Sequence, residues 1–283
     1  MNDVMMIIYT ILVFLLTTAI GSFLNVVIYR LPEKMSLVSP GSHCPKCNTP
    51  IKWYDNIPIL SYIILKGKCR YCKERISPRY LIVELLTGVS STLIFLRFGV
   101  TFNALFGIIF FLTLIPIAFI DFEHLVIPDS CIIILFVLGV VGLFFNDLSY
   151  GEGLINIDYI SKLISLGFVV GFSVIIILLE RLFKRDLMGG GDLKLLAVVG
   201  LILGWQLLLI VIASASVLSC LVEISRERAH KNKIKKQEEK DDTVIIEEEG
   251  PHLFAFGPYL ALCSIIVYCF GINLIEWWLG LLI

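Results

Sequence analysis

The sequence has little charge: Asp, Glu, Lys and Arg make up 17% of its 283 residues, whereas 58% of the residues are hydrophobic. A soluble domain would be near half apolar and about a quarter charged. The sequence therefore excludes an ordinary soluble globule, a disordered chain and a secreted disulfide-rich mini-protein. It also lacks the G-x-S-x-G and H-E-x-x-H motifs of serine hydrolases and zinc peptidases. Its four histidines argue against a histidine-rich catalytic metal site.

Long apolar segments predict an all-α, polytopic membrane protein. A spanning helix needs about 20 mostly apolar residues, and none of these segments shows the alternation of a membrane β-barrel strand. The first segment has no positive residue before it and no cleavage site after it, so we interpret it as a span and not as a signal peptide. The sixth segment is short and could form a half-span with its neighbour. The eight predicted spans are 4–28, 80–96, 103–120, 128–145, 160–182, 193–203, 205–222 and 254–281.

The positive residues indicate the orientation in the membrane. All Lys and Arg residues except Arg97 and Lys162 lie in or beside the three loops 30–79, 184–192 and 226–240. The remaining long loop, 146–158, contains acidic residues and neither Lys nor Arg. With eight spans the three basic loops share one side, which the positive-inside rule predicts to be cytoplasmic. Both termini are then expected outside.

The charge pattern divides the chain into three parts: a first span in 1–29, a cytosolic zinc-binding domain in 30–79 and a membrane core in 80–283. Within the core, 224–250 is predicted to be a mobile charged cytosolic loop, because it is basic, then acidic, and lacks aromatic residues. A basic arm of this kind could bind anionic lipid headgroups.

Two C-x2-C pairs in the cytosolic domain predict a metal site. Cys44 and Cys47 form one pair, and Cys69 and Cys72 form the other after 21 intervening residues. This doubled spacing is typical of a four-thiolate zinc site. A closed site has no open position for substrate, so we expect structural zinc that compensates for a small core. Disulfides fit the reducing cytoplasm less well, and four unliganded thiols are the remaining alternative.

Two aspartates lie at the predicted cytoplasmic ends of spans. Asp121 follows the third span, and Asp192 follows Gly189, Gly190 and Gly191 just before the sixth. Each could simply cap a helix, but ionisable groups at membrane depth are commonly functional, and glycines allow a close backbone approach. Two close carboxylates can act as acid and base on a water molecule. The pair therefore indicates aspartyl proteolysis.

Six segments in order resemble the bacterial prepilin peptidases, or type IV leader peptidases, which are G-x-G-D membrane aspartyl proteases. Position 81 is Leu where we expect the family's proline, and Leu is compatible with the start of a span. The segments are 21–32, the paired Cys motifs, 77–84, Asp121 with Pro128-Asp129, 189–192 and 256–260.

The resemblance implies an enzyme of the bacterial inner membrane. Asp121 and Asp192 match the two catalytic aspartates. The substrate would be a prepilin or pseudopilin, cut after a glycine at the cytoplasmic membrane face, and no nucleic acid partner is expected. Many members also N-methylate the new N-terminus with S-adenosylmethionine, and the pair Gly67-Lys68 matches a position linked to that activity.

Several alternatives remain open at this point. A non-enzymatic membrane scaffold with a zinc-knuckle docking domain would explain the cysteines and the spans, and a transporter could use membrane aspartates as a proton relay. Glu123 and His124 have no assigned role, whereas Asp129 beside Pro128 is interpreted as a helix-start residue. The domain 30–79 has ten basic and three acidic residues, which is awkward for attracting a basic leader. Local acidic groups, anionic lipids or the membrane segment must then provide recognition.

Overall fold

The protein is described by a computed structural model that covers residues 3–145, 159–184, 188–238 and 255–280. Across these ranges the secondary structure is helical, with two isolated β-bridges and no strand. A 3₁₀ helix, Trp53–Asn56, precedes α2. The α-helices are α1 (Asp3–Arg30), α2 (Leu60–Ile64), α3 (Arg79–Phe98), α4 (Phe102–His124), α5 (Asp129–Phe145), α6 (Tyr159–Phe183), α7 (Gly190–Leu203), α8 (Trp205–Glu238) and α9 (Gly257–Gly280).

The all-α fold predicted from composition is confirmed, and the eight long helices coincide with the eight predicted apolar segments. Five of them are long and apolar enough to cross a membrane: α1, α3, α4, most of α6 and the first part of α8. The apolar parts of α5 and α9 are shorter. The chain is thus a multi-pass membrane protein, and the count of eight crossings stays a prediction.

Short connections force neighbouring helices to reverse direction. Thr101 starts α4, where its side chain accepts a hydrogen bond from Ala104 N at 3.2 Å, as an N-cap residue does. Leu125 ends the same helix in the left-handed conformation. Gly204, at a φ of 80°, separates α7 from α8. These caps place the start of α3 and the end of α4 at one face of the helix assembly.

The core is centred on α4 and α7. Helix α4 packs against α3, α5, α9 and α1, and α7 packs against α5, α6, α8 and α9. The shared helices α5 and α9 therefore hold α4 and α7 together. Small residues allow close helix contacts; a Cβ atom at Gly21 of α1 would overlap the side chain of Thr87 on α3. Large side chains fully buried in this core include Phe106, Phe110, Leu114, Ile117, Ile120 and Leu195.

One predicted loop is partly helical. The composition of 224–250 predicts a mobile loop, but α8 continues to Glu238, so this prediction is wrong for 224–238. The reason is physical: this stretch contains no Gly or Pro and is rich in Glu, Lys, Arg and Gln, which are good helix formers. Residues 239–250 lie outside the described residues.

The segment between α1 and α3 is fastened to both helices. The Arg30 side chain, which is buried, donates to the carbonyls of Ser36 at 2.9 Å and Pro40 at 2.7 Å. Further along, Glu84 of α3 accepts a hydrogen bond from Ile59 N at 2.8 Å. We call residues 31–78 the cysteine domain. Its exact boundaries remain a prediction.

Candidate active site and metal centre

The four predicted metal ligands come together in the cysteine domain. The Sγ atoms of Cys44, Cys47, Cys69 and Cys72 all lie within 4.8 Å of one another, and Cys44 Sγ is 3.8 Å from Cys72 Sγ. Tetrahedral zinc at about 2.3 Å from each sulfur requires sulfur–sulfur separations of about 3.8 Å. The cluster therefore has the size of a four-thiolate zinc site.

The two halves of the cluster are built in the same way. In the first, Asn48 N donates to Cys44 O at 2.8 Å; in the second, Lys73 N donates to Cys69 O at 3.1 Å. Asn48 and Lys73 both adopt a positive φ, of 54° and 60°. Each C-x2-C turn is thus closed by the same local geometry, which directs two sulfurs to one side.

The thiols differ in their tendency to ionise. Hydrogen bonds from the side chain and the backbone of Thr49 lower the pKa of Cys47 to about 6. A hydrogen bond from the backbone of Glu74 favours the Cys72 thiolate, but desolvation and the neighbouring sulfurs outweigh it and raise the pKa of Cys72 to about 12. Four thiolates at this spacing need a cation to neutralise them. The donor set thus suits a divalent ion such as zinc.

The pair Gly67-Lys68 leads into the second C-x2-C turn. Gly67 has a φ of 65°, and a Cβ atom there would lie 3.0 Å from Tyr62 Oη, so glycine is required by the backbone itself. Lys68 N donates to Leu65 O at 3.1 Å, and the residue is exposed. These facts give Gly67 a structural role and leave the predicted link of both residues to methylation untested.

Asp121 lies near the end of α4 and is only 6% exposed. Its Oδ2 accepts a hydrogen bond from Gly257 N at 2.9 Å. Gly257 is the first residue of α9, and the N–H groups of a first helical turn have no partner within their own helix. A Cβ atom at Gly257 would lie 2.7 Å from Asp121 Oδ2, so this contact requires glycine. Gly257 lies in the segment 256–260 that resembles the family, but the sequence alone indicates no role for it.

Asp192 lies in the first turn of α7 and is half-buried. Its Oδ1 is buried and has no hydrogen-bond partner among the described residues. The two carboxylates lie close enough to interact electrostatically. Asp121 lies at the end of α4. Asp192 lies at the start of α7, and Gly257, which donates to Asp121, lies at the start of α9.

The three glycines before Asp192 have different surroundings. A Cβ atom at Gly189 would lie 3.2 Å from Asp192 Oδ2, and one at Gly191 would lie 3.1 Å from Ile127 Cβ. At Gly190 a Cβ atom would meet nothing within 4 Å. Gly189 therefore leaves room for the Asp192 carboxylate, and Gly191 leaves room for the loop that follows α4. A side chain at Gly190 would point into open space.

Two acidic residues near the aspartates form ion pairs. Arg79 Nη1, at the start of α3, donates to both carboxylate oxygens of Glu123, at 2.9 and 2.6 Å. Lys194 Nζ on α7 donates to Asp129 Oδ1, at the start of α5, at 2.7 Å. These pairs join helix ends across the site, which agrees with the interpretation of Asp129 as a helix-start residue. His124 is the last residue of α4.

Comparison with known proteins gives two family matches that together cover most of the chain. Residues 15–98 match the bacterial peptidase A24 N-terminal domain, and residues 108–224 match the type IV leader peptidase family. No solved structure matches the chain.

Several curated relatives carry the name prepilin leader peptidase/N-methyltransferase. The relative from Aeromonas salmonicida is 32% identical over 96% of this chain and 94% of its own length. The relative from Neisseria gonorrhoeae is 33% identical, over 92% and 91% of the two chains. The relative from Myxococcus xanthus is 35% identical over 76% of this chain, and the match spans 62% of that relative.

Proposed function

The chain belongs to the type IV leader peptidase family, and we propose that it cleaves the basic leader from type IV prepilins or pseudopilins after a glycine and then N-methylates the new N-terminus. The hydrophobic segment of the substrate lies in the bilayer, and the leader lies in the cytoplasm. The relatives' names support both activities. The position of the two aspartates supports the assignment of cleavage to Asp121 and Asp192.

The observation that carries this proposal is the convergence of helix ends around Asp121. Its Oδ2 is held by Gly257 N, and its neighbour Asp192 keeps a buried Oδ1 that has no partner within the described part of the chain. A hydrogen bond from a helix N-terminus stabilises a carboxylate. Asp121 is thus fixed in orientation, and Asp192 offers an oxygen for a water molecule or a proton.

We assign general acid–base chemistry to the pair. One carboxylate, ionised, removes a proton from a water molecule as its oxygen attacks the scissile carbonyl after glycine. The other, protonated, donates a proton to the departing amide nitrogen as the tetrahedral intermediate collapses and the C–N bond breaks. The products are a leader with a free carboxylate and a mature chain with a free amine.

The ion pair between Arg79 and Glu123 supports one membrane face for both sites. Arg79 directly follows the cysteine domain, and Glu123 lies two residues after Asp121. This ion pair supports a location of the aspartates and the cysteine domain on the same side of the membrane, and the positive charge of the loops supports the cytoplasm as that side. Both termini are then outside.

Cys44, Cys47, Cys69 and Cys72 would hold zinc, which neutralises the thiolates and joins the two turns. S-adenosylmethionine would supply the methyl group to the unprotonated amine of the mature chain, S-adenosylhomocysteine would leave, and the methylated amine would release a proton. We place this activity in the cysteine domain with Gly67 and Lys68, following the family resemblance.

The test is cleavage of a prepilin by the purified protein in lipid, with the products read by mass spectrometry with and without S-adenosylmethionine. Asp121→Asn and Asp192→Asn should each lose cleavage by at least about a thousandfold while keeping the fold. The matched control is Asp129→Asn, an exposed aspartate in the same region, which should remain active.

Substantial cleavage by either catalytic variant would remove that residue from the pair. A folded, zinc-loaded protein that cleaves no prepilin in lipid would instead favour the membrane scaffold. A mass increase of one methyl group on the product, dependent on S-adenosylmethionine, identifies the second activity.

A further inference from the structure

The short helix α2 turns its apolar side chains away from the cysteine domain. Leu60, Ile63 and Ile64 are 57%, 59% and 71% exposed. Between them, Tyr62 faces inward, where its hydroxyl donates to Ile76 O at 3.3 Å. A water-soluble surface does not usually present contiguous large apolar side chains of this kind. We call Leu60, Ile63 and Ile64 the apolar ridge.

Contacts with α3 and α1 fix the position of this ridge. Ile59 N, directly before α2, donates to Glu84 of α3, and a Cβ atom at Gly21 of α1 would lie 3.1 Å from Glu84 Cα. Gly21 precedes Arg30 by nine residues, which is about 14 Å along a helix. The start of α2 therefore lies alongside the last turns of α1 and not beyond its end.

The length of α1 relates this position to the membrane. A helix of 28 residues is about 42 Å long, and a bilayer with its headgroups is about 40–45 Å thick. The last turns of α1 therefore pass through the headgroup region of the leaflet on the cysteine-domain side. The ridge lies at that depth.

A cleft of about 320 Å³ separates the cysteine domain from α1. Phe23 and Val26 line it from α1, and Val38, Asn56 and Pro58 line it from the domain. Phe23 lies on the opposite side of α1 from Gly21, which contacts α3. The domain thus extends around the face of α1 that points away from the helix core and toward lipid.

The residues around the ridge suit a membrane surface. Trp53 is 80% exposed, and its ring lies 5.6 Å from that of Tyr54 in an edge arrangement. Trp and Tyr are enriched at membrane interfaces. Lys52 and Lys66 flank this region and are exposed, and lysines near the surface are attracted to anionic lipids.

We propose that the cysteine domain is an interfacial domain, with the apolar ridge and Trp53 inserted into the inner leaflet and the surrounding lysines bound to anionic headgroups. Three observations carry this inference together: the exposed apolar ridge, its attachment alongside α1, and the excess of positive charge. The net positive charge of the domain, which would repel a basic leader, is then complementary to anionic lipid headgroups.

The test uses the full chain in vesicles and tryptophan fluorescence. Trp53, Trp205, Trp277 and Trp278 are first replaced by Phe, and single tryptophans are then introduced by Ile64→Trp or, as the matched control, Lys46→Trp. Lys46 is exposed in the first C-x2-C turn. Zinc content and monodispersity show that each variant is folded, independently of any enzymatic activity.

Lipids brominated near the top of the acyl chain should quench the tryptophan at position 64 at least about twofold more than that at position 46. Acrylamide in the water should quench them in the opposite order. Quenching at position 64 should be stronger in vesicles of phosphatidylethanolamine with phosphatidylglycerol than in phosphatidylcholine alone.

Equal acrylamide quenching at both positions, with no effect of the brominated lipids, would overturn insertion. Equal lipid quenching in both vesicle types would overturn the part assigned to the lysines. Protection of position 64 that depends on protein density and not on the brominated lipids would identify a second copy of the chain as the occupant, which also contradicts the proposal.

Discussion

The contact between Asp121 and Gly257 gives a sharp test of the site, because the substitution Gly257→Ala adds a single methyl group. That methyl carbon would lie 2.7 Å from Asp121 Oδ2, whereas ordinary van der Waals contact begins at 3.4 Å. The carboxylate must therefore move by roughly 0.7 Å, and its 2.9 Å hydrogen bond to Gly257 N is lost or distorted.

The expected magnitude follows from this hydrogen bond. A hydrogen bond to a charged group contributes about 1.5–3 kcal/mol, and a misplacement on the order of 1 Å in an active site can cost about 100-fold in rate. We therefore expect Gly257→Ala to reduce cleavage by about 10- to 100-fold. Alanine is a better helix former than glycine, so the loss should not come from weakening of α9.

The assay compares initial rates of prepilin cleavage in lipid with the thermal unfolding of each variant. Gly190→Ala is the matched control, because it adds the same methyl group in the first turn of α7, where a Cβ atom would meet nothing within 4 Å beyond its own helix backbone and chain neighbours. It should stay within about twofold of the wild type. Full activity of Gly257→Ala, or an equal loss in Gly190→Ala, would refute the positioning of Asp121 by Gly257.

Three further variants test other contacts of the two sites. Cys44→Ser should abolish zinc binding, measured by atomic absorption, and should lower methylation at least as much as cleavage; unchanged metal content would contradict the zinc assignment. Gly191→Ala should lower cleavage by about tenfold, because its methyl group would lie 3.1 Å from Ile127 Cβ; an unaffected rate would show that the loop yields. Arg79→Ala should cost less than about 1 kcal/mol of stability, measured by thermal unfolding, because the ion pair with Glu123 is partly exposed. Zinc removal by a chelator should then lower cleavage by a smaller factor in Arg79→Ala than in the wild type, and equal factors would exclude coupling through this pair.

The long helices could be predicted from the sequence because each depends on a local property. A run of apolar residues with few charges specifies its own helix, and the eight predicted segments coincide with α1 and α3 to α9. The predicted loop was wrong for residues 224–238. There the sequence changes from apolar to charged residues, but these residues still favour a helix, and α8 continues to Glu238. The four cysteines were likewise predictable, because a short turn fixes the spacing of each pair.

The partner of Asp121 could not be predicted from the sequence. Gly257 lies 136 positions away in the chain, and no local pattern specifies which helix N-terminus meets which carboxylate. A glycine followed by proline at the start of an apolar segment indicates a helix start. It does not indicate which side chain, here that of Asp121, needs glycine at that position. The position of α2 relative to the membrane likewise could not be predicted, because it depends on the hydrogen bond between Ile59 and Glu84, which are 25 positions apart.

Helix α3 gives a physical route between the cysteine domain and the aspartates. One of its carboxylates, Glu84, holds Ile59 of the cysteine domain, and Arg79 at its start holds Glu123, close to Asp121. If Cys44, Cys47, Cys69 and Cys72 bind zinc, its removal would loosen the segment that carries Ile59, and the start of α3 would lose part of its support. Because Arg79 connects that start to the end of α4, we expect the position of Asp121 to respond to the state of the cysteine cluster. Cleavage should therefore respond to zinc, and the ion pair of Arg79 should transmit part of that response.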